Sequence, residues 1–381
     1  MPNTFYEFFA GGGMASHGLS PDWRCIFAND IDPGKSISYR ANNDAGPFRL
    51  ADVNSLTLQD LPGAADLAWA SFPCQDLSLA GNGAGLIGKR SGTFWPFWNL
   101  IKGLASEGRG PAIVALENVY GAITSRRGKD LAAIADAFAD LGYQLSCCVI
   151  DAVHFLPQSR PRLFVIGVRG DVLIPNDLRR SAPSEQWQPM ALMRSIEKFG
   201  TSARRSLFYP NLPNPAQRNL RLEDIVDAEP KGVEWHEPNQ TRHILSLMDE
   251  NNAAKVRARK RLGTPCVGTV YRRTRPDENG GKAQRAEVRF DGVAGCLRTP
   301  GGGSSRQILL IVEQRRVRSR LLSPREVARL MGLPEQYILP EQYNEAYRLA
   351  GDGVVVPVVK YLSESFFLPL LAANRISAVA A

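Results

Sequence analysis

Cysteine and histidine are scarce in this chain of 381 residues, and the few present do not cluster. Cys25, Cys74, Cys147, Cys148, Cys266 and Cys296 form no Cys-x-x-Cys pair, and the histidines are His17, His154, His236 and His243. That spacing argues against a structural zinc site, any other metal centre or a disulfide framework, and it points to a reducing, cytoplasmic setting. Most of the thiols are expected as small buried apolar side chains. Long apolar runs are lacking as well, since none approaches the ~18–20 residues that span a bilayer. The N-terminal stretch has no basic region and breaks into Gly11-Gly12-Gly13, unlike a signal peptide. Apolar residues as such are not in short supply: at 44% hydrophobic and 22% charged, the composition excludes a mainly disordered chain and supplies a large core.

Acidic residues are the remaining deficit. Lys and Arg number 46 against 38 Asp and Glu, a net charge of +8. The excess is local. Residues 251–320 hold 17 basic and 5 acidic side chains, a net +12, so the rest of the chain is slightly acidic at −4. A solvated surface mixes its signs, and a segmental excess of this size favours a nucleic-acid footprint.

Residues 1–170 alternate short apolar runs with helical patterns, the signature of an α/β parallel sheet. Six strands are expected, at Thr4–Phe8, Arg24–Ala28, Leu67–Ala70, Ile113–Leu116, Leu145–Ile150 and Leu163–Val168. Phe94–Leu104 reads as a helix, and Leu131, Ile134, Phe138 and Leu141 form an amphipathic stripe stopped by Gly142. From about Val172 to Leu321 the alternation fades into prolines, Trp187, Trp235 and basic residues. The expected organisation is a catalytic part (residues 1–171), a smaller irregular domain (172–322), and a return to the catalytic part (323–381).

Chemistry-bearing residues sit at the ends of these strands. Phe9-Ala10-Gly11-Gly12-Gly13 follows the first strand, where a glycine-rich turn lets the backbone approach a nucleotide-type cofactor. Asp30, with Ile31 and Asp32, ends the second strand about twenty residues on, at the spacing of a ribose-binding carboxylate. The pair is compatible with NAD or with S-adenosylmethionine. Pro73-Cys74-Gln75 closes the third strand and precedes Gly81, Gly83, Gly85, Gly88 and Gly92, a glycine-rich loop able to close over a substrate. Glu117-Asn118-Val119 ends the fourth strand. Gln158-Ser159-Arg160-Pro161-Arg162 precedes the last strand, so an acid and two guanidinium groups are able to converge on Cys74.

The ordered set resembles the DNA (cytosine-5)-methyltransferase family of the bacterial or phage restriction-modification type. The similarity rests on Phe9–Gly13, Asp30–Asp32, Asp52-Val53, Pro73-Cys74-Gln75, Arg90–Thr93, Glu117-Asn118-Val119, Gln158/Arg160/Arg162, Arg325–Pro334 and Gly351–Val359, in the family's order. It implies a Rossmann-like, S-adenosylmethionine-dependent methyltransferase sheet with a smaller, irregular target-recognition domain. One position departs: the family usually carries Gly-Asn where this chain has Gly351-Asp352, near the cofactor's methionine end.

The resemblance also implies the site. Cys74 is the nucleophile that adds to C6 of a flipped-out cytosine, making C5 reactive towards the methyl group. Glu117 holds or donates a proton at N3. Arg162, helped by Arg160, orients the ring, and a water near Asn118 takes the departing proton. The cofactor wall comprises Phe9, Ala10, Gly11, Gly13, Asp30, Ile31, Asp52, Val53, Pro73, Phe94, Asp352 and Val354. Within it Asp30 takes the ribose, Ile31 packs on adenine and Asp52 contacts the adenine amine. Gln75, Ser78, Arg298, Thr299, Arg272 and Arg273 are the expected contacts to double-stranded DNA. The product is S-adenosylhomocysteine, the chain is expected as a monomer, and a cognate restriction endonuclease is an optional companion. A tRNA cytosine methyltransferase is the alternative, disfavoured by the large basic segment. So is a regulator on an impaired scaffold, which the intact Cys74, Glu117 and Arg162 weigh against. An NAD-linked oxidoreductase has no use for these motifs.

Overall fold

The computed structural model describes residues 2–72, 93–276, 281–299, 306–314 and 316–380. The chain divides into two compact units, one formed by Met1–Asp151, Pro161–Pro215 and Val354–Ala381, the other by Ala152–Arg160 and Ala216–Gly353.

The first unit is built on a seven-stranded sheet. In chain order its elements are β1 (Asn3–Phe8), α1 (Met14–Leu19), β2 (Trp23–Asp30), α2 (Pro33–Asn42), β3 (Phe48–Leu50), β4 (Leu67–Ala70), α3 (Phe94–Ser106), β5 (Ile113–Val119), α4 (Lys129–Asp140), β6 (Tyr143–Asp151) and β7 (Pro161–Arg169). The strand order is β3-β2-β1-β4-β5-β7-β6, so the sequence of connections reverses between β1 and β4. Ligands of open α/β sheets bind at such a reversal, beyond the carboxyl ends of the strands. The six expected strands are all present, and three-residue β3 is an addition. The sheet is not wholly parallel: β7 runs antiparallel to both β5 and β6. Residues 152–160 are too short a link for the crossover that a parallel β6–β7 pair needs.

The strands are buried on both faces and carry an aromatic core. Phe8 meets Phe97 edge-on at 4.9 Å, and Trp98 packs on Phe138 at 4.4 Å between ring centroids. Leu131, Ile134 and Phe138 of the expected α4 stripe are buried, and Gly142 follows the helix at φ +76°. Residues 172–215 join this unit instead of the second one. They contribute the short pair β8 (Arg179–Arg180) and β9 (Tyr209–Pro210) and the helices α5 (Met190–Ile196) and α6 (Thr201–Arg205). The physical reason is that β6 is an edge strand, which must be covered. Leu145 N donates to Ser206 O at 2.8 Å and Val149 N to Trp187 O at 2.7 Å, while Leu192, Ile196 and Phe199 bury themselves in the same core.

The second unit contains α7 (Leu222–Ile225), α8 (Pro238–Ser246), α9 (Glu250–Leu262), β10 (Cys266–Pro276), β11 (Lys282–Arg289), β12 (Ile308–Glu313), β13 (Arg316–Leu321), α10 (Pro324–Leu330) and α11 (Tyr343–Asp352). Its strands form an antiparallel sheet in the order β11-β10-β12-β13, where the sequence suggested an irregular domain. One sheet face carries Val270, Val288, Ile308, Leu310 and Val312, which pack with Ile244 of α8 and Val256 of α9. Residues 323–353 belong here too. Arg320 pairs with Glu326 at 2.6 Å with both side chains fully buried, and Glu326 also accepts from Ser323 N and Asp227 N.

Chain residues 354–381 return to the first unit as α12 (Val356–Leu362) and α13 (Leu368–Ala380). Trp23 Nε1 donates to Ser363 Oγ at 2.8 Å. Helix α12 lies directly on α1, so close that a Cβ on Gly18 would fall 2.5 Å from Val359 Cβ. An 18-residue window within residues 343–376 is apolar enough by length and mean composition to cross a membrane, but 61% of it is buried inside the protein.

Candidate active site and cofactor wall

At the end of β1, Phe9 (φ +57°), Gly11 (+57°) and Gly13 (+77°) bend the chain through left-handed conformations into α1. At Gly13 the left-handed φ is one that side chains rarely adopt, and a Cβ there would press on the side-chain amide of Asn43. Asp30, at the end of the neighbouring strand β2, anchors this turn. One carboxylate oxygen accepts from Gly11 N and the other from Asp32 N, both at 2.8 Å. Beside it Ile31 is an apolar side chain left 63% exposed. Asp52 is held by Asn54 N at 2.9 Å, Val53 is buried next to it, and Ala10 and Val354 are buried. A positive-φ turn at the sheet reversal, a ribose-spaced acid and an exposed aliphatic fit an adenosyl cofactor. Phe94 is fully buried, stacked on Trp98 and against Phe72, so it serves as core behind the wall rather than as its surface.

The sequence reading missed Glu7, although a lone acid inside the apolar strand Thr-Phe-Tyr-Glu-Phe-Phe was a visible signal. Glu7 is buried beneath the turn and accepts a hydrogen bond from Ser16 Oγ of α1. Burial raises its carboxyl to about 7, against the donors of Ser16 and Ala15 that lower it.

At the end of β5, Glu117 is buried and its Oε1 lies 3.1 Å from Arg162 Nε at the start of β7. The two strands are adjacent and antiparallel, with Val119 opposite Arg162, so the pair is a diagonal cross-strand contact on one sheet face. Asn118 is on the other face, as the period of two requires. Its Oδ1 accepts from Val119 N at 2.9 Å, and it lines an apolar cavity with Phe72, Leu116, Ile134 and Leu163. The structure therefore does not bring Asn118 to the Glu117–Arg162 pair. Cys74, Pro73, Gln75 and Ser78 lie outside the described residues.

The second unit places the other expected residues. Arg160 is not free to orient a substrate ring. Its guanidinium is 2% exposed and donates to Leu297 O (2.9 Å), Gly351 O (2.8 Å) and Gly353 O (2.7 Å). Gln158 is likewise fully buried, with its amide donating to Leu330 O. Arg298 is exposed, and Thr299 Oγ1 donates to the Asp352 carboxylate. No group of three or more potential metal-ligating side chains occurs among the described residues.

The sequence profile of the C-5 cytosine-specific DNA methylases matches residues 3–367. The chain belongs to that family. Among its relatives, the type II methyltransferase M.MspI of a Moraxella species is 24% identical over 97% of this chain and 72% of its own length. M.HhaI of Haemophilus parahaemolyticus is 23% identical over 94% of this chain and 92% of its own length. The fold is shared with the crystal structure of the Schizosaccharomyces (S. pombe) Dnmt2 methyltransferase, at a TM-score of 0.57 and 18% identity, covering 97% of this chain and 99% of that one. A putative DNA modification methyltransferase encoded within an E. coli prophage gives 0.56 and 16%, with coverage of 98% and 99%.

For a cytosine methylase the two neighbouring arginines of β10 have unlike positions. Arg273 stacks over Tyr271 at 5.5 Å and pairs with Glu287 at 3.3 Å, on the face where Tyr271 donates to Cys296 O. Arg272 shares its sheet face with Val270 and the core, opposite Ala286, and its charge lowers the pKa of His236 after desolvation has done so. Only one of the two can share the Tyr271 face of the sheet, because successive strand residues point to opposite faces.

Proposed function

We propose that this cytosine methylase is a DNA (cytosine-5-)-methyltransferase (EC 2.1.1.37) that takes S-adenosylmethionine as methyl donor, releases S-adenosylhomocysteine and acts on a short sequence in duplex DNA as a monomer. The observation that carries the reading is the buried Glu117–Arg162 pair at the end of β5. In sequence, Cys74 follows the adjacent parallel strand β4 by four residues, and Ala70 of β4 is in register with Leu116 of β5.

When bound, the cofactor supplies an electrophilic methyl group. Its adenosyl part would be held by the Phe9–Gly13 turn, Asp30, Ile31, Asp52 and Val53, with Phe94 behind them. On the protein side, Cys74 as thiolate adds to C6 of the flipped cytosine, pushing electron density to C5 and N3. Glu117 accepts or supplies the proton at N3, and Arg162 holds the acid and presents N–H groups to O2. Once C5 carries the methyl group, loss of the C5 proton to water and elimination of the thiolate from C6 restore the aromatic ring as 5-methylcytosine and free the cysteine. Gln75, Ser78, Arg298, Thr299 and Arg273 are assigned to the DNA. The recognition role is assigned to the second unit. The type II relatives favour pairing with an endonuclease of the same system.

Bisulfite sequencing of DNA from a methylation-deficient bacterial host expressing the protein tests this. The expected result is 5-methylcytosine at one short motif, and a covalent adduct when 5-fluorocytosine is placed there. DNA indistinguishable from that of the empty-vector host overturns the reading.

A further inference from the structure

The turn formed by Gly351, Asp352 and Gly353 is tied to the segment Leu297–Thr299 by more than one side chain of the same unit. Arg160 bridges them from below through Leu297 O, Gly351 O and Gly353 O. The backbones run so close that a Cβ on Gly351 would lie 3.0 Å from Thr299 N and 3.1 Å from the Arg298 carbonyl carbon. On top of this contact Thr299 Oγ1 donates to one oxygen of the Asp352 carboxylate. The other oxygen lies 3.9 Å from Arg348 Nε, one helical turn earlier in α11.

This explains a carboxylate where the family resemblance predicts a carboxamide. A carboxylate offers two acceptor oxygens, one for Thr299 and one for Arg348, whereas an asparagine has a single acceptor oxygen and turns an N–H₂ towards the guanidinium. Thr299 and exposed Arg298 end the described part of the segment assigned to DNA. One oxygen of the Asp352 carboxylate thus faces that segment and the other faces Arg348.

We propose that Asp352 is a positioning residue for DNA engagement, acting through Thr299 to fix the Arg298–Thr299 segment, and that it is not a cofactor ligand. The functional half of this inference rests on the reading of the protein as a DNA methyltransferase. The structural half, the latch itself, does not.

Four full-length variants separate the possibilities: Asp352→Ala, Asp352→Asn, the nearly isosteric Thr299→Val, and the double variant Asp352→Ala/Thr299→Val. Duplex affinity is read by fluorescence anisotropy on a labelled duplex carrying the motif found by bisulfite sequencing, and cofactor affinity by calorimetry with S-adenosylhomocysteine. Asp352→Ala and Thr299→Val should each weaken duplex binding about five- to ten-fold, the worth of one partly exposed charge-assisted hydrogen bond. The S-adenosylhomocysteine affinity should stay within about two-fold in both, and the double variant should be no worse than either single one, since both remove the same bond. Asp352→Asn keeps the acceptor for Thr299 and should recover most of the duplex affinity. Weakened S-adenosylhomocysteine binding with duplex binding intact, or additive losses in the double variant, overturns the assignment. Amide exchange over residues 293–299 reads the latch without DNA and should speed up in Asp352→Ala and Thr299→Val. Unchanged exchange overturns the latch, whereas faster exchange in a protein that binds no duplex overturns the methyltransferase reading and leaves the latch standing.

Discussion

Arg162 Nε lies 3.1 Å from Glu117 Oε1, and the two side chains are only 13% and 8% exposed. A guanidinium held beside a buried carboxylate fixes the acid's orientation and presents its remaining N–H groups in a rigid fork. Arg162→Ala takes this partner from a buried acid, so it is expected to cost about 3 kcal/mol of stability and to lower turnover by about 10²–10³-fold. Arg162→Lys should not restore turnover, because an ammonium lacks the fork. Glu117→Gln should slow methyl transfer while leaving S-adenosylhomocysteine affinity near the parent value. Equal losses in both would assign the acid to structure alone. Thermal melts and single-turnover transfer of labelled methyl groups measure the two halves of this prediction.

Arg160 differs from Arg162 although only Pro161 separates them. Its three carbonyl acceptors belong to two segments more than fifty residues apart in sequence, Leu297 and the Gly351–Gly353 turn. Arg160→Ala orphans those carbonyls, and Arg160→Lys cannot reach all three with one ammonium group. Both variants are expected to lose about 3 kcal/mol or more in chemical denaturation, given the usual worth of charged hydrogen bonds. Activity should fall in proportion to the unfolded fraction, with the same pH dependence as the parent. A folded Arg160→Ala protein with dead chemistry would instead return Arg160 to the reacting atoms.

The sheet of the first unit was legible because its strands are buried on both faces and read as apolar runs bounded by glycines and acids. Phe48–Leu50 escaped because three residues carry no periodicity, and the antiparallel β7 escaped because run composition does not encode direction. In the second unit arginines hid the strands. In β13, Val317, Ser319 and Leu321 face the core while Arg316, Arg318 and Arg320 alternate with them, and even Arg320 is buried by its pairing with Glu326. The position of Asp30, Glu117 and Arg162 at strand ends was legible, because the apolar runs stop there at charged side chains. The site was not legible where direction decides. Asn118 and Arg272 sit one residue from Glu117 and Arg273 and point to the other sheet face, whereas Arg160 precedes β7 and donates to carbonyls of the second unit.

Gly18 is the point where α12, from the far end of the chain, meets the helix that leaves the Phe9–Gly13 turn. A Cβ at residue 18 would meet Val359 Cβ at 2.5 Å and Val356 O at 2.8 Å, and backbone does not yield cheaply. Gly18→Ala is therefore expected to cost about 1–3 kcal/mol through overpacking, despite the better helix propensity of alanine. Because α1 begins at the turn itself, S-adenosylhomocysteine binding should weaken together with the melting temperature. A stabilised protein with unchanged affinity would show that the two helices can part freely.

Glu7 makes stability depend on pH in a direction opposite to that of a salt-bridged acid. Desolvation lifts its carboxyl from 4.5 to about 7, with Ser16 and Ala15 donors opposing and Asp30 adding to the rise. Its other neighbours raise no competing charge near neutrality, since the Cys25 thiol is itself pushed up to about 12 and the Tyr39 hydroxyl higher still. The folded state thus holds this proton more tightly than the unfolded one. The protonated acid's contribution is complete below about pH 4.5 and is lost as pH rises through about 7, by up to about 3 kcal/mol. Glu7→Gln keeps an acceptor for Ser16 Oγ without the charge, so its melting temperature should exceed that of the parent at pH 8 and approach it at pH 5. Melting curves collected across that range on both proteins measure the difference. A gap between them that does not change with pH would mean that Glu7 stays ionised in the folded protein, its charge carried by the Ser16 and Ala15 donors.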